Sequence, residues 1–379
     1  MATTIPARLP SALPFWLSLA LLPLALAGMV WGGAWGLTMP LFAWYLVSGL
    51  DALLGESAAN PPTEAPDRAL FWHRAITMVW VPLQLAMIFC AIWAASLPGH
   101  LTGWEKVALF FGIGVASGTI GIVYGHELIH QRERSERFLG DVLLASTLYS
   151  HFRSEHMLVH HSWVGTPRDS VSARYNENFY RFFWRVLRDG PASAWRTESG
   201  RLVRTGRSRF DRRNPFWTYA ALQAAMLLTA YLIGDWQGIA FFVFQALVAI
   251  WQLELVNYVE HYGLTRKHLG DGRYEHIKPR HSWNASHTAS NWLLINLQRH
   301  SDHHVKPDRR FPLLQTYSED DAPQLPLGYP LMTLVALVPS QWRRRMNPRV
   351  RAWRRQFYPE IEEWGPYTRG ETPMPRGGS

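Results

Sequence analysis

Apolar residues are concentrated in long runs that carry almost no charge. Most of these runs approach the roughly 17–25 residues that a helix needs to cross the hydrocarbon core of a bilayer. The run nearest the C-terminus contains a single carboxylate, Glu254. The pattern predicts about six transmembrane helices, which cover approximately residues 13–31, 35–50, 76–97, 107–124, 216–233 and 238–256.

Six crossings place the polar segments alternately on the two sides of the membrane. One side receives residues 1–12, 51–75, 125–215 and 257–379, which contain 37 of the 38 lysines and arginines. The other side receives three short turns that contain only Lys106. Because Lys and Arg are enriched in cytoplasmic loops, the sequence predicts that both termini and the large polar segments lie on the cytoplasmic side of the membrane.

These features predict an all-α polytopic membrane protein with a His-rich cytoplasmic helical domain. We expect residues 1–365 to form one integral-membrane domain and residues 366–379, which are rich in Gly, Pro and Arg, to be a disordered tail. The net charge of +9 fits anionic headgroups or an acidic partner. Nucleic acid is the poorer explanation, because no nucleic-acid recognition motif accompanies the arginines.

Cysteine usage restricts the chemistry further. Cys90 is the only cysteine and lies within an apolar run, so disulfides within the chain are excluded. Iron–sulfur, rubredoxin-type and Cys-rich zinc centres carried by this chain are excluded as well, because they need about four thiolates. Any bound metal must therefore be held by His, Asp or Glu.

The sixteen histidines provide the candidate metal ligands. Nine of them fall into four clusters, all on the predicted cytoplasmic side, and the first cluster has the order His-Glu-x-x-His. The remaining seven lack paired spacing, and we expect most of these to be ordinary polar residues: His73, His100, His151, His268, His276, His281 and His287. The nine clustered histidines are His126, His130, His156, His160, His161, His261, His300, His303 and His304.

Helical geometry predicts which clustered histidines can share a metal ion. Residues four apart in a helix lie about 40° apart on one face, so His126 can pair with His130 and His156 with His160. His161 then points elsewhere and could reach a second metal. Nine ligands exceed the three that a mononuclear catalytic zinc site needs. Two metal ions would use the whole set, and neutral imidazoles suit iron, copper, nickel or zinc.

Taken together, the four His motifs resemble those of the integral-membrane alkane 1-monooxygenases, within the membrane fatty-acid desaturase and hydroxylase superfamily. The resemblance extends from about residue 40 to 340, and the stretch 165–183 also resembles the family segment that follows its second His motif. The motifs are HELIH at 126–130, EHMLVHH at 155–161, NYVEHYGL at 257–264 and LQRHSDHH at 297–304.

The resemblance implies that the nine histidines bind two iron ions and that O₂ supplies the oxygen inserted into a terminal C–H bond. It also implies that a separate rubredoxin and its reductase supply the electrons, and that the apolar substrate arrives from the bilayer. Gln131 stands where the family usually has Lys, and Val159 stands where it usually has Gly. These departures leave the preferred chain length open.

Four carboxylates next to these histidines could accept imidazole N–H hydrogen bonds and so orient the ligands. They are Glu127, Glu155, Glu260 and Asp302. Glu260 is the strongest candidate for a catalytic role, because it adjoins His261 at the mouth of the last predicted span.

Three other functions remain open from the sequence. A fatty-acyl desaturase or hydroxylase, or an alkylarene methyl hydroxylase, would use the same metals on another substrate. A membrane zinc peptidase would use His126, His130 and Glu127 as the base, but it leaves seven clustered histidines unexplained. A metal carrier would usually place its ligands within the spans, whereas these lie beyond the span ends.

Overall fold

A computed structural model describes residues 8–369. Within this range helices predominate and only two short strands occur, which confirms the predicted all-α class. Gly365–Arg369 forms one short helix at the start of the predicted tail. Positions 370–379 of that tail lie outside the described residues.

Five helices of the described chain are long and apolar enough to cross a membrane. Their large exposed side chains, such as Leu26 and Trp31, are suited to contact lipid. The fourth of these helices, Gly103–Ile129, is the most enclosed of the five, because the other helices surround it. These helices are α1 (Leu13–Trp31), α2 (Gly33–Leu54), α3 (Asp67–Ser96), α4 (Gly103–Ile129) and α8 (Phe216–His261).

α8 contains two membrane-crossing arms. Its 46 residues would extend about 69 Å as one straight helix, more than twice the roughly 30 Å thickness of the hydrocarbon core. Gly234 and Asp235 have non-helical backbone angles. A Cβ atom built on Gly238 would lie 2.1 Å from the carbonyl oxygen of Ala230, although eight residues of continuous helix span about 12 Å. The chain therefore reverses here, and its two arms correspond to the fifth and sixth predicted spans.

Shorter elements form a polar layer (residues 130–215 and 262–369) at one end of the membrane helices. Its helix α6 consists of three consecutive pieces, Phe152–Glu155, His156–His160 and His161–Trp163. The other elements are α5 (Arg134–Ser146), α7 (Phe179–Arg204), β1 (His268–Gly270), β2 (Arg273–Tyr274), α9 (Thr288–Leu293), α10 (His300–Val305), α11 (Tyr329–Ala336), α12 (Pro339–Phe357) and α13 (Gly365–Arg369).

Buried hydrogen bonds fix the polar layer to the ends of the membrane helices. Asp51, near the end of α2, accepts a hydrogen bond of 2.8 Å from the backbone N–H of Ser290 in α9. The backbone N–H of Trp283 donates to the carbonyl oxygen of Glu260 at 2.8 Å, and its indole N–H donates to that of Tyr262 at 2.9 Å. These bonds hold the segment that precedes α10 against the end of α8.

Candidate metal centre

Four elements bring the clustered histidines to one place where the membrane helices meet the polar layer. The end of α4 supplies the first pair, α6 supplies three, the last residue of α8 supplies one, and α10 supplies three. Their nitrogens form two groups, and within each group they all lie within 4.8 Å of one another. The first group is His126, His130, His156, His161 and His303, and the second is His160, His261, His300 and His304.

The first group is centred on His156. Its Nε2 atom lies 2.8 Å from Nε2 of His126, 3.1 Å from that of His130 and 2.9 Å from that of His161. The Nε2 atom of His303 completes the group, at 3.0 Å from His126 and 3.1 Å from His161. A ring nitrogen has either one proton or one lone pair, so hydrogen bonds between the rings cannot account for three contacts at His156.

A metal ion accounts for these distances. Two nitrogens that bind one ion at right angles, each about 2.1 Å from it, are separated by about 3 Å. Neighbouring nitrogens of the first group have this spacing, so the five rings could hold one ion. The second group offers four nitrogens with similar spacing, since Nε2 of His300 lies 3.2 Å from that of His261 and 3.0 Å from that of His304. The chain therefore provides two neighbouring groups of histidines that fit His-ligated non-haem metal binding.

The second His motif divides between the two groups in a way that differs from the α-helical expectation. His156 shares its group with His161, and His160 belongs to the other group. The piece His156–His160 has the wider π-helical turn. In this turn the hydrogen bonds join residue i to residue i+5, so His161, five positions after His156, returns to the same face as His156. The predicted pairing of His156 with His160 is therefore wrong. His303 likewise separates from its neighbours His300 and His304.

Burial keeps these imidazoles neutral. Loss of solvent, followed by repulsion between neighbouring rings, lowers the pKa of the ligands outside the membrane helices well below the ordinary value. Neutral imidazole is the form that binds metal ions. The residues concerned are His130, His156, His161, His300, His303 and His304.

The chain matches known proteins over most of its length. The sequence profile of the fatty acid desaturase family matches residues 102–336. Alkane 1-monooxygenase 2 of Pseudomonas aeruginosa is 39% identical over 331 residues, which are 86% of this chain and 86% of the relative. Alkane 1-monooxygenase 1 of Alcanivorax borkumensis is 39% identical over 331 residues, which are 84% of this chain and 78% of the relative. The chain belongs to the fatty acid desaturase family, in the branch of the alkane 1-monooxygenases.

A more distant relative within this family is the xylene/toluene monooxygenase hydroxylase component XylM of Pseudomonas putida. It is 28% identical over 227 residues, which are 60% of this chain and 59% of the relative. The matched desaturase-family region includes all four His motifs.

Two carboxyl groups of this chain lie beside the Nδ1 atoms of clustered histidines, on the side of each ring away from the group of Nε2 atoms. The Nδ1 atom of His160 lies 2.9 Å from a carboxylate oxygen of Asp169, which also accepts hydrogen bonds from Ser172 and from the backbone of Val171. A carboxyl oxygen of Glu260 lies 3.3 Å from Nδ1 of His300. The hydrogen bond to Asp169 fixes the tautomer and the orientation of the His160 ring, whereas Glu260 lies close to His300 without hydrogen bonding to it.

The sequence did not identify Asp169 as a partner of His160. It lies in the stretch 165–183 that resembles the family, but no helical spacing connects it to a histidine. The chain turns sharply after α6, and Gly165 has the positive φ of +71° within this turn. The turn brings Asp169 back onto His160, which only the folded loop reveals.

Three other carboxylates that the sequence singled out have non-histidine partners or none. Glu127 accepts hydrogen bonds from Gln131 Nε2 and from the backbone N–H of Phe311. Asp302 accepts hydrogen bonds from Arg309, Tyr317 and the backbone of Gln315 and so anchors the segment after α10. Glu155 is buried, and its Oε1 atom has no hydrogen-bond partner in the described chain.

The seven unclustered histidines belong to neither group. His281 is hydrogen bonded to the Tyr358 hydroxyl at 2.8 Å, and His100 lies 2.6 Å from the carbonyl oxygen of Met29. His151 packs against Tyr149. The others are His73, His268, His276 and His287.

A small cavity lies beside ligands of both groups on the membrane side. Three ligands border it: His126 and His156 from the first group and His300 from the second. Its other walls are mostly apolar side chains, with Asn257 and Glu260 as the polar exceptions. The apolar lining consists of Ile122, Val123, Phe152, Leu253, Val256 and Leu297.

Proposed function

We propose that this protein is a non-haem di-iron monooxygenase that hydroxylates the terminal carbon of alkanes. The reaction is RH + O₂ + 2e⁻ + 2H⁺ → ROH + H₂O. The main supporting observation is the apolar cavity bordered by ligands of both His groups. The alkane 1-monooxygenases at 39% identity support the substrate class.

The nine histidines would hold two iron ions, and the bound irons would supply the redox chemistry that activates O₂. The residues of the chain bind and position the reactants. The apolar walls exclude water and hold an alkyl chain end beside the ligands, and Asp169 keeps the His160 ring oriented. Glu260, which also lines the cavity, is the candidate catalytic carboxylate.

The electrons require a separate protein in this proposal. The chain has one cysteine, so it cannot carry the four-thiolate iron site of a rubredoxin. A rubredoxin and its reductase would supply the electrons from the cytoplasmic side of the inner membrane. The charge asymmetry of the chain supports this orientation.

Membranes that contain the protein, supplied with rubredoxin, its reductase, NADH and ¹⁸O₂, test the function directly. Alkanes from octane to hexadecane should give 1-alkanols that carry one ¹⁸O atom. Label in a methyl-hydroxylated arene or in an acyl product alone would move the protein to the related hydroxylase functions. Failure to label any product, together with one tightly bound zinc ion per chain, would contradict the proposal and favour the peptidase.

The ligand assignment has its own test. His261→Ala removes a buried ring of the second group and should lower both the iron content and alcohol formation. His100→Ala is the control, because His100 lies outside both groups and is bonded to the carbonyl oxygen of Met29. Full iron content and activity in His261→Ala would remove this residue from the ligand set.

A further inference from the structure

Glu254 is a buried carboxyl group that neither His group uses. It is the only acidic residue of the apolar run 238–256, and it is 1% exposed. An ionisable side chain costs free energy in such a segment, and it is usually kept there for ion or proton transfer. Glu254 therefore calls for a role beyond packing.

A hydrogen bond to a cavity-lining residue connects Glu254 to the cavity. One carboxyl oxygen accepts a hydrogen bond of 3.2 Å from Nδ2 of Asn257. Asn257 lies one helical turn further along α8 and lines the cavity between the His groups. It therefore positions the carboxyl group of Glu254 behind the cavity wall.

A second hydrogen bond connects Glu254 to the polar layer. The hydroxyl group of Tyr149 donates to the other carboxyl oxygen at 2.9 Å. The ring of Tyr149 packs edge-on against that of His151, with ring centroids 4.4 Å apart. His151 is partly exposed, so this ring contact places Tyr149 next to a side chain that reaches the surface of the polar layer.

We propose that Glu254 and Tyr149 form a proton relay from the polar layer to the cavity. This inference rests on the proposed function, whose reaction consumes two protons for each O₂. The protons end in the water product, and the electrons come from a reduced rubredoxin-type donor. Tyr149 passes its hydroxyl proton to Glu254 and regains one from a water molecule of the polar layer, and Glu254 passes its own proton to a water molecule in the cavity beside Asn257.

The other carboxyl groups near the site do not provide this connection. Glu260 lines the cavity, but its carboxyl group lies against Nδ1 of His300 at 3.3 Å. Asp169 bonds to His160, and Glu155 has a carboxyl oxygen without a partner in the described chain. Among these carboxyl groups, in the part of the chain that the structure describes, only Glu254 is hydrogen bonded both to a cavity residue and to Tyr149, whose ring contacts the partly exposed His151.

A purely structural role for Glu254 would be to tie α8 to the segment after α5. Gln245 provides the matched control, because its Nε2 atom donates to the carbonyl oxygen of Ser146 at 2.8 Å. It connects the same two parts of the chain two to three turns away, and it does not line the cavity. Gln245→Ala therefore tests the loss of a tether without the loss of the relay.

The experiment compares Glu254→Gln, Glu254→Asp, Tyr149→Phe and Gln245→Ala in the iron-loaded protein with rubredoxin, reductase and an alkane. Glu254→Gln should keep its iron but form alcohol about 10²–10⁴-fold more slowly, as expected for loss of a proton-transfer group. It should also release more H₂O₂ per O₂ consumed and show a larger rate decrease in D₂O. Glu254→Asp should recover part of the rate.

An infrared measurement on metal-free protein adds a readout that does not depend on turnover. Bands of the Glu254 carboxyl group, identified by their loss in Glu254→Gln, should respond within seconds to transfer into D₂O. Bands that stay unchanged for hours would overturn the relay. Two results of the activity comparison would also overturn the relay, provided that the wild type forms labelled alcohol. One is an unchanged release of H₂O₂ per O₂ consumed in Glu254→Gln. The other is an equal increase of this release in Gln245→Ala. No alcohol from the wild type would instead count against the proposed function.

Discussion

At the residue scale, the clustered histidines differ in the hydrogen-bond partner of the Nδ1 atom. His160 has the strongest partner, since its Nδ1 atom lies 2.9 Å from a fully buried carboxylate. By contrast, Nδ1 of His161, His261 and His304 has no hydrogen-bond partner in the described chain. The sequence predicted all nine rings from their spacing, but it could not predict Asp169, because a loop rather than a helical repeat connects it to His160.

Asp169→Asn tests the importance of this contact. The amide keeps the shape of the side chain but loses the negative charge that supports the His160 N–H, so iron affinity should fall by about 10–100-fold. Competition with a chelator, followed by metal analysis, measures this change. Asp189→Asn is the control, because it makes the same substitution in an exposed ion pair with Arg188. Equal iron affinity in both variants would show that Asp169 is dispensable.

At the scale of elements, the apolar pattern predicted where the membrane helices lie but not how their turns are wound. The run at 216–256 was correctly divided into two arms, because no single span is that long. The π-helical turn at His156–His160 was not predictable. A helical wheel assumes a constant 100° per residue, so one wide turn moves His160 into the other ligand group.

Close packing of α2 against α4 gives a prediction at the same scale. A Cβ atom on Gly112 would lie 2.3 Å from the carbonyl oxygen of Gly36, so Gly112→Ala should lower the free energy of unfolding by about 1–3 kcal/mol. Gly49→Ala is the control, because a Cβ atom there has no heavy atom within 4 Å. It should keep or slightly raise stability, since Ala favours helix over Gly.

Thermal unfolding in detergent compares the two alanine variants. The melting temperature of Gly112→Ala should fall below that of the wild type, whereas that of Gly49→Ala should not. Equal melting temperatures would mean that α2 and α4 move apart at little cost. The helices would then be less tightly packed than the structure describes.

For the molecule as a whole, the distribution of charge and the position of the site support one orientation. The His groups lie where the membrane helices meet the polar layer, and the segments on this side carry nearly all of the lysines and arginines. Hydropathy predicted the number of arms and which ends share a side, and charge predicted which side is cytoplasmic. Neither could show that four distant motifs meet at two metal sites, because this depends on how α4, α6, α8 and α10 pack.

Cysteine labelling tests the orientation, and the chain suits this method because it has one cysteine to remove. In a Cys90→Ser background, Ala58→Cys lies in an exposed segment on the charged side, and Gly103→Cys lies at the exposed start of α4 on the opposite side. A membrane-impermeant maleimide should label Gly103→Cys in intact spheroplasts and Ala58→Cys only after lysis, because positively charged loops stay in the cytoplasm. The reverse pattern would place the His groups and the relay entrance outside the cytoplasm, where a cytoplasmic rubredoxin could not reach them.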